Sequence, residues 1–304
     1  MKFYTSVLPY RGRLLVRGVD HDGSHKKTRI NYKPSLFVPA NKETKYKTLD
    51  GQNVGKVTFE SIPESKKWIE EYKGVSNFEY YGNTRHQYSY IADKFPKKVD
   101  WDISKLRILT IDIECESENG FPDPEIASEP LICITAKDHA KKRIVVFGMG
   151  NFVNDREDVK YIKCSTERDL VIKFTKFWES YNPDIITGWN VKFFDIPYLM
   201  NRFKHLMGEE YLSKFSPWGI VTEGSALALG YNRTQKYWDI MGVSILDYLD
   251  LYRKHTFVRR ESYKLDYIGE VELGENKLNN PYDTFKEFYQ NDYQLFVEYN
   301  IQDV

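Results

Sequence analysis

"LTIDIECESE", residues 109–118, opens as a strand: Leu109, Ile111 and Ile113 alternate with Thr110, Asp112 and Glu114. Side chains two apart on a strand point to one face. Asp112 and Glu114 therefore stand on the same face, roughly 7 Å apart, and repel one another. Either that face is wet, or something positive, such as a metal ion, belongs between them. Glu116 and Glu118 keep the spacing but run off the strand into "NGFPDP" (119–124) and are read as loop charges, while Cys115 is placed on the opposite face, in the core.

The segments that follow predict an α/β domain. "LRILTIDIE" (106–114), "EPLICITAKD" (129–138) and "RIVVFGM" (143–149) read as an antiparallel meander. "ERDLVIKFTKFWESY" (167–181) has helical spacing, with Phe174, Phe177 and Trp178 on its apolar side. A short strand, "DIITGW" (184–189), leads into a helix from "FDIPYLMNRFKHLM" (194–207). "VSILDYLDLYRK" (243–254) is expected as a helix with Leu246, Leu249 and Leu251 partly inward, and "TFKEFYQNDYQLFVEYNIQDV" (284–304) as one terminal helix. Three strands, helix, strand, helix is the order of an RNase H-like domain.

Upstream the pattern is β-rich. "KFYTSVL" (2–8) and "RLLVRGV" (13–19) flank a break at Pro9–Gly12, and "DHDGSHKK" (20–27) turns at Asp22-Gly23. "TRINYKPSLFVP" (28–39) is extended, because the residue before Pro34 avoids helix. A helix is predicted from Pro63 to Lys73, with Ser61 and Glu64 at capping-box spacing. The polar, Pro-interrupted run at 93–105 marks a boundary between a β-rich domain, 1–102, and an α/β domain, 103–304.

A length of 304 residues suits about two domains, and the 41% hydrophobic content supports real cores. Net charge is zero but uneven: residues 1–100 carry 19 Lys and Arg against 11 Asp and Glu, and residues 101–304 carry 25 against 33. The basic third points to a polyanion contact and the acidic remainder to a cation-holding site, though solvated surfaces account for either as well. Aromatics at 15% leave rings for stacking as well as packing. Cys115, Cys133 and Cys164 form no paired framework and read as buried thiols in a reducing cytoplasm. No signal-peptide or membrane-spanning apolar run is found, which predicts a soluble intracellular protein.

Two further acidic sites complete the pattern begun at Asp112 and Glu114. Asp195 opens a helix just after the Gly188–Asn190 turn, where the helix N-terminus favours a carboxylate. In "YNIQD" (299–303), Tyr299 and Asp303 are four apart and share a helix face. Alone, the paired acids are a solvated face, Asp195 a cap, and Tyr299 with Asp303 uninformative. Together the four carboxylates suit two hard divalent cations with oxygen ligands, which activate water and stabilise a leaving phosphodiester oxygen. Asp247 and Asp250 are read as facing partners along their own helix.

These residues resemble the 3′–5′ exonuclease module of family B DNA polymerases, most of all the replicative polymerases of T-even-type bacteriophages. Asp112-Ile113-Glu114 matches the first exonuclease motif, "NVKFFD" (190–195) the second, and "YNIQD" the third in its tyrosine form. "FPDP" (121–124), "TGWN" (187–190), "GVSILDYLDLY" (242–252) and "SYKLDYI" (262–268) look like the same lineage. The resemblance implies two ions, Mg²⁺ or Mn²⁺: Asp112 bridging both, Glu114 and Asp303 on the ion carrying the nucleophilic water, Asp195 on the second, partly through water. Tyr299 would orient the attacking water. Phe121 would stack on a terminal base, with Asn190, Arg233 and Lys277 as further DNA contacts, Lys277 near the scissile phosphate. Residues 221–240 sit where the family has a β-hairpin that helps part primer from template, and 1–102 would be an RNA-recognition-like fold.

On this reading the substrate is a single-stranded or frayed primer 3′ end of DNA. The remaining polymerase portion acts in cis or in trans, the N-terminal domain contacts RNA or template, and the site of action is the cytoplasm, that of an infected host cell if the chain is phage-encoded. The polymerase motifs "DxxSLYP" and "YGDTD" are not found, so the exonuclease domain is expected to be cut short at its third motif, with Asp303 in a fraying last turn. The competing expectations are a non-catalytic nucleic-acid-binding or assembly half of a split or truncated polymerase, and a free-standing exoribonuclease.

Overall fold

The computed structural model describes residues 1–117, 120–227 and 234–304. The chain falls into two units, Met1–Ile103 and Ser104–Val304.

In the first unit, β1 (Phe3–Tyr10), β2 (Arg13–Val19) and β3 (His25–Ile30) form an antiparallel sheet. The β1–β2 turn needs left-handed backbone at Arg11 (φ 44°) and Gly12 (φ 77°). A second antiparallel sheet has the order β4 (Ser35–Pro39), β6 (Asn53–Thr58), β5 (Tyr46–Lys47). Helix α1 (Ile62–Tyr72) starts one residue earlier than the sequence predicts. Ser61 accepts the Glu64 N–H at 3.3 Å, and Glu64 reaches back to the N–H of Glu60, at 2.6 Å. Helix α2 (His86–Lys94) is not signalled by the sequence pattern, because its polar residues offer a weak apolar stripe. Val7, Leu14, Val16, Tyr32, Ile62 and Tyr90 make the core. Strand β3 leaves Lys26, Lys27 and Arg29 exposed.

The second unit is built on one mixed sheet. Strands β7 (Ile108–Cys115), β8 (Leu131–Asp138) and β9 (Arg143–Gly148) form the expected meander, and β10 (Val159–Lys163), unexpected, runs parallel to β9 at one edge. Helix α3 (Glu167–Tyr181) has the predicted bounds; Thr166 caps it by accepting the Asp169 N–H, and Asn182 ends it in the left-handed region. Then come β11 (Ile185–Gly188), parallel to β7, and helix α4 (Asp195–Met207). Strands β12 (Val221–Leu227) and β13 (Thr234–Ile240) pair as an antiparallel hairpin.

"VSILDYLDLYRK" is not one helix. Its first part is β14 (Ser244–Asp247), parallel to β11, and α5 (Tyr248–His255) begins after it. Leu246 is accordingly exposed and Leu249 buried. Helix α6 (Leu265–Leu273) follows. The terminal segment is also two helices, α7 (Phe285–Asn291) and α8 (Tyr293–Gln302), broken at Asp292, whose side chain caps the second.

The strand order β10-β9-β8-β7-β11-β14, without β10, is that of an RNase H-like α/β fold. Ile111, Ile113 and Cys115 face the cluster formed with Phe174, Trp178 and Phe203 of α3 and α4. Cys133 and Val146 face Phe288, Phe296 and Ile301 of α7 and α8 on the other side. Fully buried side chains such as Phe174 and Phe203 each stabilise the fold by roughly 1.5–3 kcal/mol, which offsets the cost of holding carboxylates on β7. Among the described residues no helix is long and apolar enough to cross a membrane.

Candidate active site

Strand β7 carries the first two carboxylates on the face turned toward α8. Strand β11 pairs with β7 only as far as Thr110. At Gly188 the chain leaves β7: a Cβ there would lie 2.7 Å from the Ile111 carbonyl oxygen, so the approach needs glycine. Beyond that point the Ile113 N–H is taken instead by the Asp195 carboxylate, at 3.2 Å. The turn delivering Asp195 is built on Asn190, in the left-handed region (φ 62°), whose carbonyl accepts the N–H groups of Phe193 and Phe194. Asp247 clamps the turn. It accepts the N–H groups of Asn190 at 3.1 Å and Lys192 at 3.0 Å, and caps α5 through Leu249 at 2.9 Å. The sequence reading expects Asp247 to face partners along its own helix; instead it ends β14, and it caps α5 while also bracing the turn before Asp195.

Helix α8 supplies the rest. Phe296, Val297, Asn300 and Ile301 are its buried side chains. Asn300 donates to Asp112 at 2.6 Å and accepts from the Thr135 hydroxyl of β8. One turn of helix then sets Tyr299 and Asp303 at the same place. Oxygen atoms of Asp112, Glu114 and Asp303 lie within 4.8 Å of one another. Asp195 stands beside this trio, held on β7 through the Ile113 N–H. The Lys277 ammonium is ion-paired with Asp303, donates to the Tyr299 hydroxyl at 3.3 Å and sits 4.7 Å from the centre of its ring.

The expected fraying of the last turn is corrected by its contacts. Lys137 donates to the main-chain oxygen of Val304 at 2.7 Å, and Gln302 is bonded to the backbone of Asn276 and Leu278. Glu116 is more than a loop charge: it pairs with Lys286 at 3.2 Å and accepts from Tyr289 at 3.1 Å. Glu118 lies outside the described residues.

The electrostatics match the crowding. Burial pushes Glu114 up to about 8, with the Asp303 charge adding to it and Lys277 opposing it. Burial likewise raises Asp195 to about 8, against the N–H bonds that favour its charged form. Asp112 is raised well above the ordinary carboxylate range by burial, then by Asp195, Asp303 and Glu114. Asp303 is raised by burial, with Lys277 opposing. One ammonium, that of Lys277, does not balance four converging carboxylates, and an all-oxygen donor set of this kind fits a hard divalent cation.

Phe121 and Asn190 meet elsewhere. They line a cavity of about 400 Å³ together with Pro122, Phe193, Phe194 and Lys236 of the hairpin. Phe121 is 82% exposed, and its ring lies 4.7 Å from that of Phe194, the residue before Asp195. Arg233 lies outside the described residues. The sequence reading missed Asn300, Thr135, Gln302 and Asp266, which accepts the Lys277 N–H at 2.8 Å. A signal for Asn300 existed: it shares the 296/297/300/301 stripe of α8 with apolar residues.

An RNase H-like sheet with clustered acids on its central strand is the architecture of an exonuclease domain. The comparisons agree. Residues 65–268 match the family model described as DNA polymerase family B, exonuclease domain. The chain is similar over its whole length to the DNA-directed DNA polymerase of Escherichia phage RB69, 30% identical over 331 residues. It is equally similar, 30% over 329 residues, to that of Enterobacteria phage T4, and it spans 36% of each. Over 58% of its length it is 30% identical to the DNA polymerase delta catalytic subunit of Caenorhabditis elegans. The chain belongs to the family B DNA polymerases and carries their exonuclease domain.

Proposed function

We propose that the chain is a 3′–5′ proofreading exonuclease that hydrolyses the terminal phosphodiester of a single-stranded or frayed DNA primer end. The observation that carries this reading is the trio Asp112, Glu114 and Asp303, brought within 4.8 Å from two elements with Asp195 alongside. These residues would hold two Mg²⁺ or Mn²⁺ ions, Asp195 partly through water. The ions, when bound, supply the charge that activates a water and stabilises the leaving oxygen. Asn300 fixes the Asp112 carboxylate by its amide, and Thr135 fixes that amide in turn. Tyr299 presents a hydroxyl beside Asp303 that can orient water. Phe121 and Phe194 offer rings on which an unpaired base stacks, in a cavity that Asn190 also lines. Arg233 and Lys277 complete the DNA contacts, Lys277 near the scissile phosphate.

The remaining polymerase, in cis or in trans, is the partner that presents the primer end, and the basic first domain, residues 1–102, is the contact for template or RNA. The work is done in the cytoplasm of an infected host cell. A labelled single-stranded oligonucleotide with Mn²⁺ tests the core of this reading. The wild-type chain is expected to shorten the strand from its 3′ end, and Asp112→Ala with Glu114→Ala to lose at least ~100-fold, as for removal of a charge-stabilising group. Undiminished hydrolysis by the double variant would overturn the carboxylate assignment. Binding without hydrolysis by the wild type, in the presence of the remaining polymerase, would favour a non-catalytic assembly role.

A further inference from the structure

Lys277 arrives at the carboxylates on a loop that is held in three places. Its own N–H is bonded to Asp266 at 2.8 Å. On either side of it, the Gln302 side chain donates to the Asn276 carbonyl at 3.0 Å and accepts the Leu278 N–H at 2.6 Å. Gln302 is the residue before Asp303, so one short stretch of α8 positions both the anion and the cation that pairs with it. Three-quarters of the Lys277 side chain is removed from solvent, and the Asp303 side chain is only 5% exposed. A loose surface lysine would not meet a carboxylate in this way, because ordering its long side chain costs more than an exposed ion pair returns.

We propose that Lys277 is a tethered counter-cation, which holds Asp303 and Tyr299 in their working positions in the metal-free protein and must be displaced from Asp303 by the incoming divalent ion. Gln302 and Asp266 are the positioning residues that keep the ammonium at hand. This rests on the metal-site reading given above. A buried anion left alone is costly, and the lysine supplies the missing charge while the ion is away. When the ion binds, the ammonium is repelled from Asp303 and is free to meet a phosphate, so one side chain serves both states. The cost is competition, because the ion that takes Asp303 as a ligand must first break the Lys277–Asp303 pair.

Isothermal titration of Mn²⁺ into the DNA-free chain tests this without reading activity. Lys277→Met keeps the side-chain length and removes the charge. It is expected to bind Mn²⁺ roughly tenfold more tightly than wild type, within the usual range for coupling between groups that share a site. Its melting temperature in the metal-free state should fall, and the rise on saturation with Mn²⁺ should exceed that of wild type. Gln302→Ala should shift affinity in the same direction, and should add little on top of Lys277→Met, since both act through one contact. Lys277→Arg should retain wild-type affinity. Mn²⁺ binding that depends on Asp112 and Glu114 but is unchanged or weaker in Lys277→Met would overturn the counter-cation and leave the metal site standing. Absence of such binding in the wild type would overturn both.

Discussion

Glu114 and Asp195 hold their protons up to about pH 8 because they are buried, and in Glu114 because Asp303 stands close by. In the unfolded chain the same groups ionise in the ordinary range, 4.5 for Glu and 3.8 for Asp. Between those limits the folded protein binds more protons than the unfolded one, so stability falls as pH rises through that window and levels off above it. Melting of metal-free protein should show a drop of at least ~4 °C between pH 5.5 and 8.5. Glu114→Gln should flatten the profile, and a profile as steep as wild type would show that Glu114 does not titrate there. Asn300 is the neutral counterpart. Asn300→Ala removes the amide that donates to Asp112 and leaves the buried Thr135 hydroxyl without its Asn300 acceptor. The expected cost is about 1–3 kcal/mol in urea denaturation, with hydrolysis reduced because Asp112 is no longer fixed. At this scale the convergence of the carboxylates was legible, since two acids on one face of a strand and one at an end of each of two helices are a chemical pattern. Asn300 was legible only as a polar residue on the apolar stripe of α8; its role was not, because an amide shows no chemistry until its partners on β7 and β8 are known.

Asp247 shows how an element can serve a site that it does not enter. It ends β14, caps α5 and accepts two N–H groups from the turn before Asp195. Losing a cap alone costs about 0.5–2 kcal/mol, and the orphaned N–H groups of the turn add to that. Asp247→Ala should therefore lose ~2–3 kcal/mol in urea denaturation, and slow hydrolysis by loosening Asp195. It should still bind Mn²⁺ at the trio, which separates bracing from ligation; loss of Mn²⁺ binding as complete as in Asp112→Ala would make Asp247 a ligand. This element was misread from sequence for a physical reason. "VSILDYLDLYRK" has leucines at spacings that suit a helix, and four residues are too few to display strand alternation. The pairing of Ser244–Asp247 with β11 is a tertiary fact. Strand β10 escaped likewise, being short and defined by its pairing with the parallel strand β9. Helix α3 was placed correctly because Thr166, fifteen helical residues and Asn182 state its start, length and end locally.

At the scale of the whole molecule, the uneven charge is the feature that the sequence displays and no single site explains. The first hundred residues are basic and the rest acidic, in a chain of zero net charge. An acidic domain with clustered carboxylates repels a nucleic acid backbone until cations are bound, so on the proposed function the strand is expected to be drawn by the basic unit. Strand β3 exposes Lys26 and Lys27 on the unit that carries that excess. Binding of a long single-stranded oligonucleotide should weaken steeply with salt. Replacing Lys26 and Lys27 by alanine should reduce the slope of log affinity against log salt by about 0.7 for each phosphate contact removed. Hydrolysis of a dinucleotide, too short to engage a second surface, should keep its kcat in the same variant, while KM for the long strand rises. Fluorescence anisotropy at several salt concentrations, with Ca²⁺ in place of the reactive ion, reads the slope directly. An unchanged slope would place the polyanion contact on another part of the chain and make the basic face of β3 a solvated surface.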